Sequence, residues 1–114
     1  LRILHYLKPQ GLLILHPLRI QPTTVAAGLE PPWKTSLDTS IASAPLVCHR
    51  VDPPPAQPGT AALPLNTSIL GHCARLCHMD MPAWIKAMSS VISPRHLEPN
   101  LRAFKHGWEG AVHA

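Results

Sequence analysis

The chain has 114 residues, enough for one small domain, and fourteen of them are proline. Charged residues make up 14% of the chain, against roughly 25% in ordinary soluble domains. The net charge is +4, but the basic residues are scattered, without a run or a clustered face. This distribution argues against nucleic-acid binding, and three cysteines are too few for a disulfide framework.

The first twenty residues are the most apolar stretch, but charges and prolines interrupt it, which argues against a membrane-spanning helix of about 20 apolar residues. Gly11–Leu15 is shorter than the apolar centre of a secretory signal, roughly 7–15 residues. The absence of acidic residues before Glu30 also suits a transit peptide, whose amphipathic helix the prolines oppose. Both alternatives stay open. A start at Leu1 is typical of a fragment, a processed product or a conceptual translation.

Residues 1–65 contain eleven of the fourteen prolines. Proline lacks an amide donor and biases the preceding residue away from helix, so no regular element of normal length is expected here. Asp52–Pro58 favours polyproline II, and we interpret its P-x-x-P sequence as a spacer because no basic residue lies just beyond Pro58. The prediction for residues 1–65 is a proline-rich segment, mostly irregular or disordered.

The pattern changes near Asn66, where a first helix is predicted over residues 67–79. Its apolar residues span an arc of roughly 120°, the width of a core-facing stripe. We call these the α3 stripe, after the number that this helix receives in the structure: Ile69, Leu70, Cys73, Leu76 and Cys77. Thr67 or Ser68 is the expected N-cap. Gly71 weakens the prediction, because glycine costs about 1 kcal/mol relative to alanine in a helix.

A second helix is predicted over residues 81–92, with Asp80 as N-cap, Pro82 in the first turn and Ser93-Pro94 as the stop. Its apolar residues repeat the spacing of the first helix. We call these the α4 stripe, again after the number of the helix in the structure: Trp84, Ile85, Met88, Val91 and Ile92.

A third helix is predicted over residues 99–106, with Pro99 at its first position and Gly107 as C-terminal cap. Leu101, Phe104 and Trp108 would share one face. No alternating strand pattern of useful length is present. The predicted fold is therefore small and all-α, with three short helices preceded by a largely irregular proline-rich arm.

The expected organisation is a proline-rich segment over residues 1–65, a small helical unit over residues 66–108 and a tail over residues 109–114. A unit of this size is near the lower limit for folding without disulfides, metal or oligomerisation. Marginal stability is expected.

The segment from His72 to His78 contains two cysteines between two histidines, residue types that bind zinc. On a helix, however, Cys73 and Cys77 share the apolar face, while His78 lies about 140° from Cys73. The pattern therefore favours cysteines that act as small buried hydrophobes, and no metal or cofactor is predicted. Without paired carboxylates or a glycine-rich phosphate loop, no catalytic residue or small-molecule substrate is predicted either.

The functional hypothesis is a non-enzymatic protein-interaction module that offers the α4 stripe to a protein partner or to a second copy of the chain. An alternative is peripheral membrane association through the same stripe, helped by the apolar N-terminus and weak positive charge. A further alternative is a fragment or little-selected reading frame with no defined biochemical function.

Overall fold

The computed structural model describes residues 4–16, 22–31 and 37–111. Residues 1–3, 17–21 and 32–36 of the proline-rich segment, and residues 112–114 of the predicted tail, lie outside these ranges. The chain forms two compact units, one of Leu1–Leu13 with Pro17–His49 and the other of Ile14–His16 with Arg50–Ala114. The three long helices all belong to the second unit.

The N-terminal half contains short regular elements. In chain order they are a 3-10 turn Leu4–Tyr6, strand β1 Gly11–Leu15, helix α1 Thr23–Ala26, helix α2 Leu37–Ala42 and strand β2 Leu46–Arg50. β1 and β2 pair as a two-stranded parallel sheet. Just before the strands, the Gln10 amide donates a hydrogen bond of 2.7 Å to the Pro45 carbonyl.

The all-α prediction is therefore wrong in part: the protein is mostly helical but also contains this parallel sheet. An alternating apolar and polar pattern does not detect β1, because its sequence GLLIL is a continuous apolar run. Such runs are typical of parallel strands. The largely irregular arm is not shown, because short helices and strands occur between Leu4 and Arg50. Pro45 and Pro53 lie on either side of β2 and not inside it. They therefore remove no hydrogen bond between the two strands. Within the described chain, residues 51–64 contain neither helix nor strand.

The second unit contains helices α3 Leu65–Leu76, α4 Met81–Val91 and α5 Pro94–Gly110. The prediction for α4 is confirmed: Asp80 is the N-cap, and its carboxylate accepts a hydrogen bond of 3.0 Å from the Ala83 amide. The predicted bounds of the other two helices are wrong. α3 begins earlier, after Pro64, without a side-chain cap. α5 begins at Pro94 and holds Pro99 in its interior.

α3 and α5 cross with their backbones very close together. A Cβ placed on Gly71 would overlap the Phe104 carbonyl oxygen, and one placed on Gly107 would overlap the Ser68 carbonyl oxygen. Nearby, the Thr67 hydroxyl donates a hydrogen bond of 2.6 Å to the side-chain oxygen of Asn100. Thr67 and Ser68 thus lie in the helix contact and are not capping residues, and Gly107 is part of the helix crossing rather than a C-cap.

α5 carries two adjacent faces with different side chains. Ala103, Gly107 and Ala111 are buried and spaced four residues apart, so they make a small-residue face toward α3. Phe104 is fully buried beside this face, with ring centroids 5.6 Å from Trp84 and 6.0 Å from Trp108. The hydrophobic core forms on this second face, from Ala74, Met88 and Phe104 with Met81, Trp84, Ile92, Leu97, Leu101 and Trp108 around them. The prediction that Leu101, Phe104 and Trp108 point the same way is confirmed.

α3 ends in a Schellman motif. The Met79 amide donates to the Ala74 carbonyl at 2.9 Å and the His78 amide donates to the Arg75 carbonyl at 3.0 Å. His78 has φ 54°, the left-handed conformation that glycine normally supplies at this position. The motif ends α3 and leads directly into Asp80, which caps α4.

Candidate interaction surface

The α4 stripe is divided between the core and the surface. Met88 is buried, and Trp84 and Ile92 pack against the core beside it. Ile85 is half-buried, and Val91 is 83% exposed. The side chains of this stripe that lie outside the core cluster are therefore Ile85 and Val91, and only Val91 is exposed.

The α3 stripe lies on the side of its helix opposite to the predicted one. The residues that α3 buries are Thr67, Ser68, Gly71, His72 and Ala74. At 100° per residue, the centre of that buried face is roughly 170° from the centre of the α3 stripe. The apolar stripe consequently faces away from α5, and the prediction that it faces the core of the helical unit is wrong.

The exposure of the α3 stripe follows from this orientation. Leu70 is 38% exposed, and Cys77 is also exposed. Ile69, Cys73 and Leu76 are half-buried. The physical reason is the close approach of α3 and α5: only the side of α3 that carries Gly71 and Ser68 is flat enough for two backbones to meet. A large apolar stripe would have held the helices apart, near the usual 8–10 Å between axes or beyond.

Small residues were the signal that sequence reasoning missed. The helical pattern alone indicates that Gly71 weakens its helix and that Gly107 ends the next one but one. The four-residue spacing of Ala103, Gly107 and Ala111, opposite a helix with Ser68 and Gly71, indicates a close helix crossing. The two helical faces could have been assigned from that spacing.

The electrostatics of α3 are simple. Arg75 is its only Lys, Arg, Asp or Glu residue, and its guanidinium carbon lies 5.3 Å from the centroid of the Trp108 ring, a cation–π contact. Arg75 lies toward α5, on the other side of the helix from the α3 stripe. The stripe therefore combines apolar side chains and thiols without a Lys, Arg, Asp or Glu among them.

The cysteines and histidines of the His72–His78 segment are spread around the helix end. His72 is buried on the side of α5, whereas Cys73 and Cys77 lie on the α3 stripe and His78 lies in the terminal turn. The predicted burial of both cysteines is wrong, since Cys77 is exposed and Cys73 is half-buried. Cys48 belongs to β2 in the other unit, and all three thiols are free. Among the described residues, no three His, Cys, Asp or Glu side chains converge on a position suited to a metal ion.

The acidity of the Cys73 thiol depends on its burial and on its neighbour. Burial raises the pKa of the Cys73 thiol, and the neighbouring Cys77 raises that pKa further through charge repulsion and a hydrogen bond between the thiols. The two sulfur atoms are thus direct neighbours.

Among the described residues, none of the helices is both long and apolar enough to cross a membrane. The chain matches no family model, and no curated protein and no solved structure shows a significant match to it.

Proposed function

We propose that the protein is a non-enzymatic interaction module that self-associates through the α3 stripe. The observation that carries this proposal is the orientation of the stripe, which turns away from α5 and leaves Leu70 and Cys77 exposed. The α4 stripe supports the proposal less well, because Trp84, Met88 and Ile92 already pack in the core. Peripheral membrane association through the α4 stripe is less well supported for the same reason, because these three side chains are not free to enter a membrane.

A second copy of the chain is the partner that the chemistry of the stripe favours. Two-fold symmetric contacts place each surface patch against itself, so a charged patch would meet its own charge. The α3 stripe avoids this repulsion because its five residues include no Lys, Arg, Asp or Glu and Arg75 is occupied over Trp108. A single helical stripe buries less than the roughly 1,600 Å² of a standard interface, so the association is expected to be weak and reversible.

Sedimentation velocity tests this function. We expect the metal-free, reduced chain to shift from monomer to dimer between roughly 10 µM and 1 mM, a range that corresponds to about −7 to −4 kcal/mol. Leu70→Lys keeps the helix propensity but places like charges at the contact, and should leave the chain monomeric. Val91→Lys on the exposed end of α4 is the matched control and should still associate.

The outcomes separate the candidates. A wild-type chain that stays monomeric over the whole concentration range would refute self-association. Loss of the dimer in Val91→Lys but not in Leu70→Lys would show that the dimer contact is formed by the α4 stripe and not by the α3 stripe.

A further inference from the structure

Cys73 and Cys77 lie one turn apart on the α3 stripe. Residues four apart on a helix have Cβ atoms about 5–6 Å from each other on the same face. Both thiols are free, Cys77 is exposed and Cys73 is half-buried, so the pair can be approached from the side of the helix that faces away from α5. The two sulfur atoms are therefore placed to bind one ligand together.

The surroundings of the pair favour a cation. Burial raises the pKa of the Cys73 thiol and charge repulsion from Cys77 raises it further, so two thiolates at this place repel each other. A cation bound between the sulfur atoms removes that repulsion.

We propose that Cys73 and Cys77 form a two-coordinate site for a soft monovalent cation, copper(I) or silver(I). Thiolates are the ligands that select soft cations, and monovalent d10 ions accept two sulfur ligands in a linear arrangement. Four-ligand zinc sites need further donors, and no third His, Cys, Asp or Glu among the described residues joins the pair. The two-thiol site is complete within one chain, so it does not require the proposed self-association, although both thiols lie within the α3 stripe.

Binding is an exchange of protons for the cation, without a redox step. Each thiol releases one proton as its sulfur forms a bond to the metal, and the cation keeps its charge of +1. Two protons are released for each cation bound, and the product of two thiolates and one cation carries a net charge of −1. Affinity should consequently rise with pH.

Silver(I), which stays monovalent in air, is the probe for the full-length reduced chain. We expect native mass spectrometry to show one silver ion per chain, and competition with a soluble chelator to give the affinity. Cys77→Ser removes one of two linked ligands and should weaken binding about 100-fold or more. Cys48→Ser, which removes the thiol in β2, is the matched control and should bind like the wild type. Circular dichroism of both variants verifies that the helices are retained.

Three results would overturn the site. Equal affinity of the wild type and Cys77→Ser would show that single thiols bind the ion. Loss of affinity in Cys48→Ser would assign the metal to another pairing, and one ion shared by two chains would show that a single copy does not complete the site. Failure of self-association is recognised separately, because sedimentation uses metal-free protein.

Discussion

His78 holds the turn between α3 and α4 in a conformation that is costly for any residue with a Cβ. Its φ of 54° lies in the left-handed region, which costs a non-glycine residue roughly 1–2 kcal/mol. The hydrogen bonds from His78 and Met79 to the last turn of α3 hold it there. The backbone of this one residue is thus strained at the point where α3 ends.

Replacing His78 by glycine should relieve this strain. We expect His78→Gly to raise the free energy of unfolding by about 1 kcal/mol, less than the full strain because glycine also loses more entropy on folding. Urea denaturation followed by circular dichroism at 222 nm measures the change. His96→Gly, at an exposed helical position of α5, should give no gain. Equal effects of the two substitutions would contradict the assigned role of His78.

At the scale of the elements, the contact between α3 and α5 decides which surfaces remain for partners. Gly71 and Gly107 allow the two backbones to touch, with Ser68 and Phe104 opposite them. This contact uses the small face of each helix. It leaves the α3 stripe outside, while the aromatic face of α5 remains available to α4.

Gly107→Ala tests the helix crossing. Alanine is the better helix former by about 1 kcal/mol, but its Cβ would overlap the Ser68 carbonyl, and a backbone atom cannot rotate away. Overpacking costs typically 1–3 kcal/mol, so we expect a net loss of about 1–2 kcal/mol in the free energy of unfolding.

Gly110→Ala is the matched control in the same helix. No described atom lies within 4 Å of its added Cβ, so this substitution should be neutral or stabilising by up to about 1 kcal/mol. The urea midpoints of both variants give the comparison. A Gly107→Ala variant as stable as Gly110→Ala would mean that α3 and α5 do not approach closely.

At the scale of the whole molecule, the helical unit has a small core with one fully buried aromatic ring. Phe104 lies between Trp84 and Trp108, and the other buried members of the cluster are Ala74 and Met88. A chain of this size has little stability in reserve, since even typical domains have only about 5–15 kcal/mol. Cooperative unfolding therefore depends strongly on this ring.

A thermal melt separates a folded module from a little-selected reading frame. We expect a sigmoidal loss of helical circular dichroism for the wild type and for Val91→Ala, whose side chain is 83% exposed. Phe104→Ala costs about 3–5 kcal/mol and should abolish the transition or lower its midpoint strongly. A gradual, non-cooperative melt of the wild type, or a Phe104→Ala melt identical to it, would favour the reading-frame alternative.

The sequence by itself determined the local features of the helical unit. Asp80, Pro82 and Pro94 define α4 because caps and prolines act within one turn of the chain. The shared face of Leu101, Phe104 and Trp108 follows from helical periodicity alone. The accessible end of the α4 stripe, Val91, could not be distinguished from buried Met88 in this way, since both lie on the same arc.

The tertiary structure decided which face of α3 is buried. Hydrophobic periodicity assigns the largest apolar stripe to the core, but the distance between α3 and α5 is set by Gly71 and Gly107, residues without a side chain. Pairing of β1 with β2 likewise depends on residues far apart in the chain, which a local pattern does not record. The α3 stripe and its two thiols are therefore accessible because of the close contact between α3 and α5. Only that contact turns the apolar side of α3 outward.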